Sequence, residues 1–309
     1  MALAGLGFAV WWWSAHPGHS GPSAANPPPK PTDLKRPLLS PPVVALLSTE
    51  SVSAVQRLNV LATLGIKLSP DDRAALLDSI KNSPPNGVST SEWHSLANDI
   101  LQALRNQRPY TPQYTDRLIA FWHDKTLDPT LRDYALQQLR LWVADNDSRT
   151  VHEERPEKIA LIQTTFLNAA TPGHADCDAQ STSTGTALLA LDEWAFSKIE
   201  PKVAAAPEFQ ALVLAHAESA SCHRGVRATA LQICARRGIK EALPIARTVI
   251  STASSDAILR MSAISLMGTL GTADDLTRLT AFKEATPDPL LQASLQKAIQ
   301  NLTTHHSQS

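Results

Sequence analysis

LDPTLRDYALQQL, residues 127–139, decides how this chain is built. Asp128 offers a carboxylate where a helix begins, and Pro129 follows at the first helical position, where a missing N–H does no harm. Leu131, Ala135 and Leu136 then recur at helical spacing. The same frame returns further along. Val226, Arg227, Ala230 and Leu231 match Leu131, Arg132, Ala135 and Leu136, as do Leu259, Arg260, Ala263 and Ile264. Leu290, Leu291, Ser294 and Leu295 make a weaker copy that lacks the arginine, with its Asp288-Pro289 start slipped by one residue. The last three copies stand about 33 and 31 residues apart, a period that stacked helix pairs produce. A small residue in each copy lets neighbouring helices approach, and the apolar residues beside it fill the seam. No single pair can bury both of its apolar faces, so stacking is obligatory.

Other helix starts carry the same punctuation. Ser69-Pro70-Asp71-Asp72 supplies a capping hydroxyl, a proline and first-turn acids, and Thr111-Pro112 repeats the pattern. Ser89 with Glu92 and Thr272 with Asp275 read as capping boxes. Gly65, Gly238 and Gly271 stand where helices should stop. No strand alternation is evident between about residue 43 and the end. The fold class is all-α, an α–α superhelix of stacked antiparallel helix pairs.

The pattern Asp-Pro-x-x-Arg-x-x-Ala-Leu, at Asp128, Pro129, Arg132, Ala135 and Leu136, resembles a HEAT repeat, as does Asp256, Leu259, Arg260, Ala263 and Ile264. The match extends from about 111 to 145 and from 205 to 302; it is poor from 43 to 110, and His223 stands where the motif wants Asp. The resemblance implies a right-handed superhelix. It also implies that Asp128, Arg132, Ala135, Arg227, Ala230, Asp256, Arg260 and Ala263 serve the stacking, with acids at turns facing basic residues nearby.

Composition narrows the function. Lys and Arg total 28 against 29 Asp and Glu, for a formal charge of −1. A protein that neutralises many phosphates needs a concentrated basic face, so nucleic acid is disfavoured as a partner.

MALAGLGFAVWWWSA at the start is an uncharged apolar run, too short to cross a bilayer and lacking a signal peptide's basic n-region. Trp11, Trp12 and Trp13 fit the aromatic belt of a membrane interface. Residues 1–16 therefore read as a membrane anchor or signal-like segment whose true start lies upstream of Met1. Residues 17–42 hold nine prolines and read as an extended linker. A helical-repeat domain follows over 43–302, with an irregular insertion at about 145–182, and residues 303–309 read as a disordered tail. The expected location is a membrane-anchored domain on the extracytoplasmic, periplasmic-type side, with the cytoplasmic face as the alternative.

Candidate chemistry is sparse. Cys234 lies among apolar residues, whereas Cys177 and Cys222 occupy polar loops just before helices. Loops of adjacent repeats come close in space, so Cys177 and Cys222 are a disulfide candidate. The alternative is a zinc site of His174, Cys177, Cys222 and His223, mixing nitrogen and sulfur ligands. His152-Glu153-Glu154 resembles the His-Glu pairs of iron-binding HEAT-like hydroxylases, but those need several pairs and this chain has one. Asp192 and Glu193 adjoin Trp194 on a helix, where consecutive side chains diverge by about 100° and do not readily share a reacting atom. Trp93, Trp122, Trp142 and Trp194 have apolar neighbours at helical spacing and read as core. No P-loop, serine-hydrolase, zincin or dinucleotide motif occurs. No cofactor, catalytic set or small-molecule substrate is evident. The expected function is a non-enzymatic protein–protein interaction scaffold tethered to a membrane. The alternative is a metal-binding or enzymatic domain that uses the 145–182 insertion.

Overall fold

Capping side chains define the helix starts. In the computed structural model, which describes residues 39–108, 113–146, 156–175, 177, 181–196, 206–252 and 255–306, Ser53, Ser69 and Ser89 each accept a backbone N–H from the third residue of the helix they open. Ser89 and Glu92 close a reciprocal capping box, and so do Thr272 and Asp275. Asp128 Oδ1 accepts Thr130 N–H at 2.7 Å, and Asp256 Oδ1 accepts Ile258 N–H at 2.9 Å. Gly238 ends its helix with a left-handed φ of 73°, which a side chain would resist. Gly271 ends another in extended backbone, while Gly65 lies beyond a helix that Thr63 has already capped. Thr111-Pro112 lies outside the described residues.

Every regular element among the described residues is helical. They are α1 (Pro41–Leu47), α2 (Ala54–Ala62), α3 (Pro70–Ser79), α4 (Thr90–Arg105), α5 (Tyr114–His123), α6 (Pro129–Asn146), α7 (Pro156–Ala170), α8 (Ser183–Phe196), α9 (Ala206–Glu218), α10 (Arg224–Arg237), α11 (Leu243–Ser251), α12 (Ala257–Leu270), α13 (Ala273–Ala285) and α14 (Pro289–His306). Each odd-numbered helix packs on the even-numbered helix that follows it. The even-numbered helices also pack on one another in a continuous row from α2 to α14. The fold is therefore an all-α stack of helix pairs, a helical solenoid. Helical structure begins at Pro41, inside the stretch read as linker, and continues to His306, inside the stretch read as tail.

The repeated small residues are buried within the stack. Ala135, Ala230 and Ala263 have no exposed surface. Two even helices come close at Gly268 of α12, where an added Cβ would lie 2.5 Å from Ala298 Cβ of α14. Large side chains fill the remaining space, and Trp93, Trp122, Trp142 and Trp194 are all buried.

The repeated arginine has a geometric role of its own. Arg132 Nε donates to Trp122 O at the end of α5 at 2.9 Å. Arg227 Nε donates to Ala217 O near the end of α9 at 3.2 Å. Arg260 Nη2 donates to Thr252 O just past α11 at 2.8 Å. In each pair the second helix thus caps the bare carbonyl end of the first, which has no intrahelical donors left. Two positions of this kind escaped the motif. Arg57, four residues after cap Ser53, donates to Leu46 O at 2.5 Å and Ser48 O at 2.8 Å, closing the end of α1. Gln292, four residues after Asp288, donates to Lys283 O at 2.6 Å and also to Thr286 O. The fourth copy is therefore in register with the others: Gln292 stands in the arginine's place, and the slip inferred from the sequence is corrected. Acids at the turns face the preceding even helix. Asp256 pairs with Arg224 at 2.9 Å, and Asp128 lies 3.5 Å from His94.

The expected membrane location is corrected. No helix among the described residues is long and apolar enough to cross a membrane. Residues 1–16, on which that expectation rested, lie outside the described residues.

Candidate functional site

The pair α7–α8 departs from the repeat, and the site lies beside it. Counting four residues past Thr182, which precedes α8, gives Thr186 where an arginine would stand. Thr186 and Thr182 donate their hydroxyls to Asp133 of α6, at 2.9 and 2.8 Å. The end of α7 is capped by other groups. Thr184 Oγ1 donates to Ala169 O at 3.1 Å, and His216 of α9 reaches Ala170 O through Nε2 at 2.5 Å.

A cleft of about 400 Å³ opens where α6, α8 and α10 run side by side. Its walls are largely apolar, formed by Leu141, Val143 and Ala144 from α6, Phe166 from α7, and Ala190 and Trp194 from α8. Two carboxylates and two arginines complete the lining. Glu193 accepts a fork from Arg140, with Nε at 2.7 Å and Nη2 at 2.5 Å. The Glu193 carboxylate, outweighing the cost of burial, raises the Arg140 guanidinium above its ordinary pKa. Asp192 is buried to 1% exposure. Its Oδ2 lies 2.7 Å from Arg236 Nη2, and Oδ1 accepts from Arg237 Nε. Arg237 also stacks over Phe209, 4.8 Å from the ring centroid. The two consecutive carboxylates are thus turned to opposite neighbours, Glu193 to α6 and Asp192 to α10. Neither is placed for shared acid–base work. They hold Arg140 and Arg236 in the lining of an apolar hollow, and Asp192 also holds Arg237 outside it.

The expected chemistry around the cysteines resolves differently. Cys177, Cys222 and Cys234 are all free thiols, so the disulfide expected between Cys177 and Cys222 is not formed. Burial foremost pushes the Cys234 thiol up to about 12, which leaves it inert. His223 caps α10, its Nδ1 accepting Gly225 N–H at 3.2 Å. His174 is exposed on the turn after α7. Cys177 Sγ lies 3.7 Å from Thr184 Oγ1, and Cys222 Sγ lies 3.5 Å from His216 Nδ1. The proposed zinc set is therefore dispersed, with His223 committed to its cap. Among the described residues no three His, Cys, Asp or Glu side chains gather as a metal site. His152, Glu153 and Glu154 lie outside the described residues.

Sequence reasoning missed His216, Arg140, Arg236 and Arg237. The only trace of the cleft was Asp192-Glu193 beside Trp194, two acids on a helix otherwise rich in apolar and small residues.

No family model matches the chain, and no curated protein matches it. Among solved structures it is similar to human deoxyhypusine hydroxylase in complex with glycerol. The TM-score is 0.32 and the identity 15%, over 85% of this chain and 95% of that one. A likeness this distant carries no activity across. The expectation of a non-enzymatic scaffold is not retained on other ground: a cleft with apolar walls and a few fixed charges suits a small molecule rather than an extended protein surface.

Proposed function

We propose that the chain is an enzymatic or ligand-handling domain on a helical-repeat scaffold, and that its ligand is a small amphipathic molecule held in the cleft between α6, α8 and α10. The observation that carries this reading is the cleft itself: a hollow of about 400 Å³ with apolar walls and a few fixed charges. Small-molecule sites have this character, since apolar walls supply binding energy and a few polar groups fix orientation. Arg236 supports an anionic group on the ligand. Its side chain is 47% exposed and meets Asp192 through Nη2, and a guanidinium carries five N–H donors. Asp192 and Glu193 hold the arginines in place, so little ordering remains to be done on binding. The repeats themselves we assign to the HEAT type, on the recurrence of Asp128 with Arg132 and Asp256 with Arg260.

The test uses 8-anilinonaphthalene-1-sulfonate, an aromatic body bearing one anionic group. Saturable binding of one probe per chain, read by its fluorescence, is expected. Ala144 is exposed at the cleft wall, so Ala144→Trp should fill the hollow without disturbing the core and abolish binding. Arg236→Gln should weaken it about ten-fold, the loss of one charge-assisted contact. Binding that Ala144→Trp leaves unchanged would show that the cleft is not the site.

A further inference from the structure

The pairing of Cys222 with His216 carries a second assignment, independent of the cleft. His216 is 1% exposed and held by both ring nitrogens. A carbonyl oxygen only accepts, so the contact with Ala170 O places the hydrogen on Nε2. The lone pair of the neutral ring is then on Nδ1, and Nδ1 is the atom facing Cys222 Sγ at 3.5 Å. This is a nucleophile beside a base that a third group orients, the arrangement that activates thiols. Cys222 is half-buried, so a small reagent can reach the sulfur. It also directly precedes His223, the cap of the 14-residue helix α10, where developing negative charge is favoured.

We propose that Cys222 is a nucleophilic thiol, with His216 as its proton acceptor, and that it forms a covalent bond with small soft electrophiles. In the step, the Sγ proton passes to Nδ1 and the sulfur electron pair attacks the electrophilic carbon. The carbon–sulfur bond forms as the bond to the leaving group breaks, and the leaving group departs with its electron pair. The imidazolium, held through Nε2–H by Ala170 O, then releases its proton to water. No oxidant or cofactor is needed.

The chain contains its own controls. Cys177 is similarly half-buried but faces a hydroxyl at 3.7 Å, and Cys234 has no exposed surface. The full chain would be treated briefly with iodoacetamide at neutral pH, and labelling followed at each cysteine by peptide mass spectrometry. Cys222 should be carboxamidomethylated at least ten-fold faster than Cys177, with Cys234 unlabelled until the chain unfolds. His216→Gln, and His216→Arg, which restores a donor of the kind that caps the other repeats, should each bring Cys222 down to the rate of Cys177. Equal rates at Cys222 and Cys177 in the unsubstituted chain would overturn the assignment without recourse to any variant. So would a Cys222 rate that survives in a variant of unchanged helix content.

Discussion

Arg57 shows what one side chain does for this fold. Its guanidinium has no exposed surface and donates to the carbonyls of Leu46, Ser48, Glu50 and Val52. Burial lowers its pKa from the ordinary value, yet a guanidinium remains charged at any working pH. Arg57→Met keeps much of the packing but leaves those carbonyls without a donor. Hydrogen bonds to a charged group contribute about 1.5–3 kcal/mol each, and desolvated partners left bare add to the loss. A destabilisation of about 3 kcal/mol is expected in urea unfolding; a change below about 0.5 kcal/mol would refute the capping role. Asp128, Arg132 and their counterparts were legible in the sequence because they recur in one frame. Arg57 was not, because Ser53 replaces the Asp-Pro start and hides the register. Gln292 was missed for a related reason: a neutral amide fills a place where a cation was sought, although both donate N–H groups to the same kind of carbonyl.

At the scale of elements, ion pairs tie one helix pair to the next. Asp275 opens α13, where it closes the capping box with Thr272 and accepts a fork from Arg247 of α11 at 2.7 and 2.8 Å. The Arg247 hydrogen bonds, foremost, hold the Asp275 carboxyl below the usual carboxylate range, against the opposing effect of burial. A carboxyl depressed in the folded state contributes stability above its unfolded pKa of about 3.9. That contribution is lost as pH falls through the lower folded value. Asp275→Asn should therefore be clearly less stable than the unsubstituted chain at pH 7, and the gap should close on acidification below about pH 4. A gap that stayed constant down to pH 2 would mean that the charge of Asp275 is irrelevant. The α7–α8 pair illustrates a different device. Without the arginine, the α7 terminus is closed by Thr184 from its own pair and His216 from the next. The sequence flagged residues 145–182 as a break in rhythm, but which groups would take over the cap depends on atoms brought from α9, far along the chain.

For the whole molecule, the row of even helices sets the unit of cooperativity. In a stack of this kind each pair leans chiefly on its neighbours, so energy is close to a sum of local contributions. Ending the chain after Gly271 removes α13 and α14 and bares one face of α12, while α6, α8 and α10 keep their contacts. The shortened chain should lose helical circular dichroism in proportion to the residues removed and unfold at a lower midpoint. It should bind 8-anilinonaphthalene-1-sulfonate with an affinity within two-fold of the full chain. Complete loss of folded signal would contradict the neighbour-by-neighbour account of stability.

Caps, prolines and the 3.6-residue rhythm are local properties, written within a turn or two of backbone, and by themselves they determined that this chain is helical and that its helices pair. The recurring Asp-x-x-x-Arg frame added the stacking, because it repeats once per pair. The cleft and the Cys222–His216 contact were decided only by tertiary structure. Arg140 meets Glu193, Arg236 meets Asp192, and His216 meets Ala170 across 45 or more intervening positions in two of these cases and across neighbouring helices in all of them. No local pattern encodes such meetings, since they depend on which turn of one helix lands beside which turn of another.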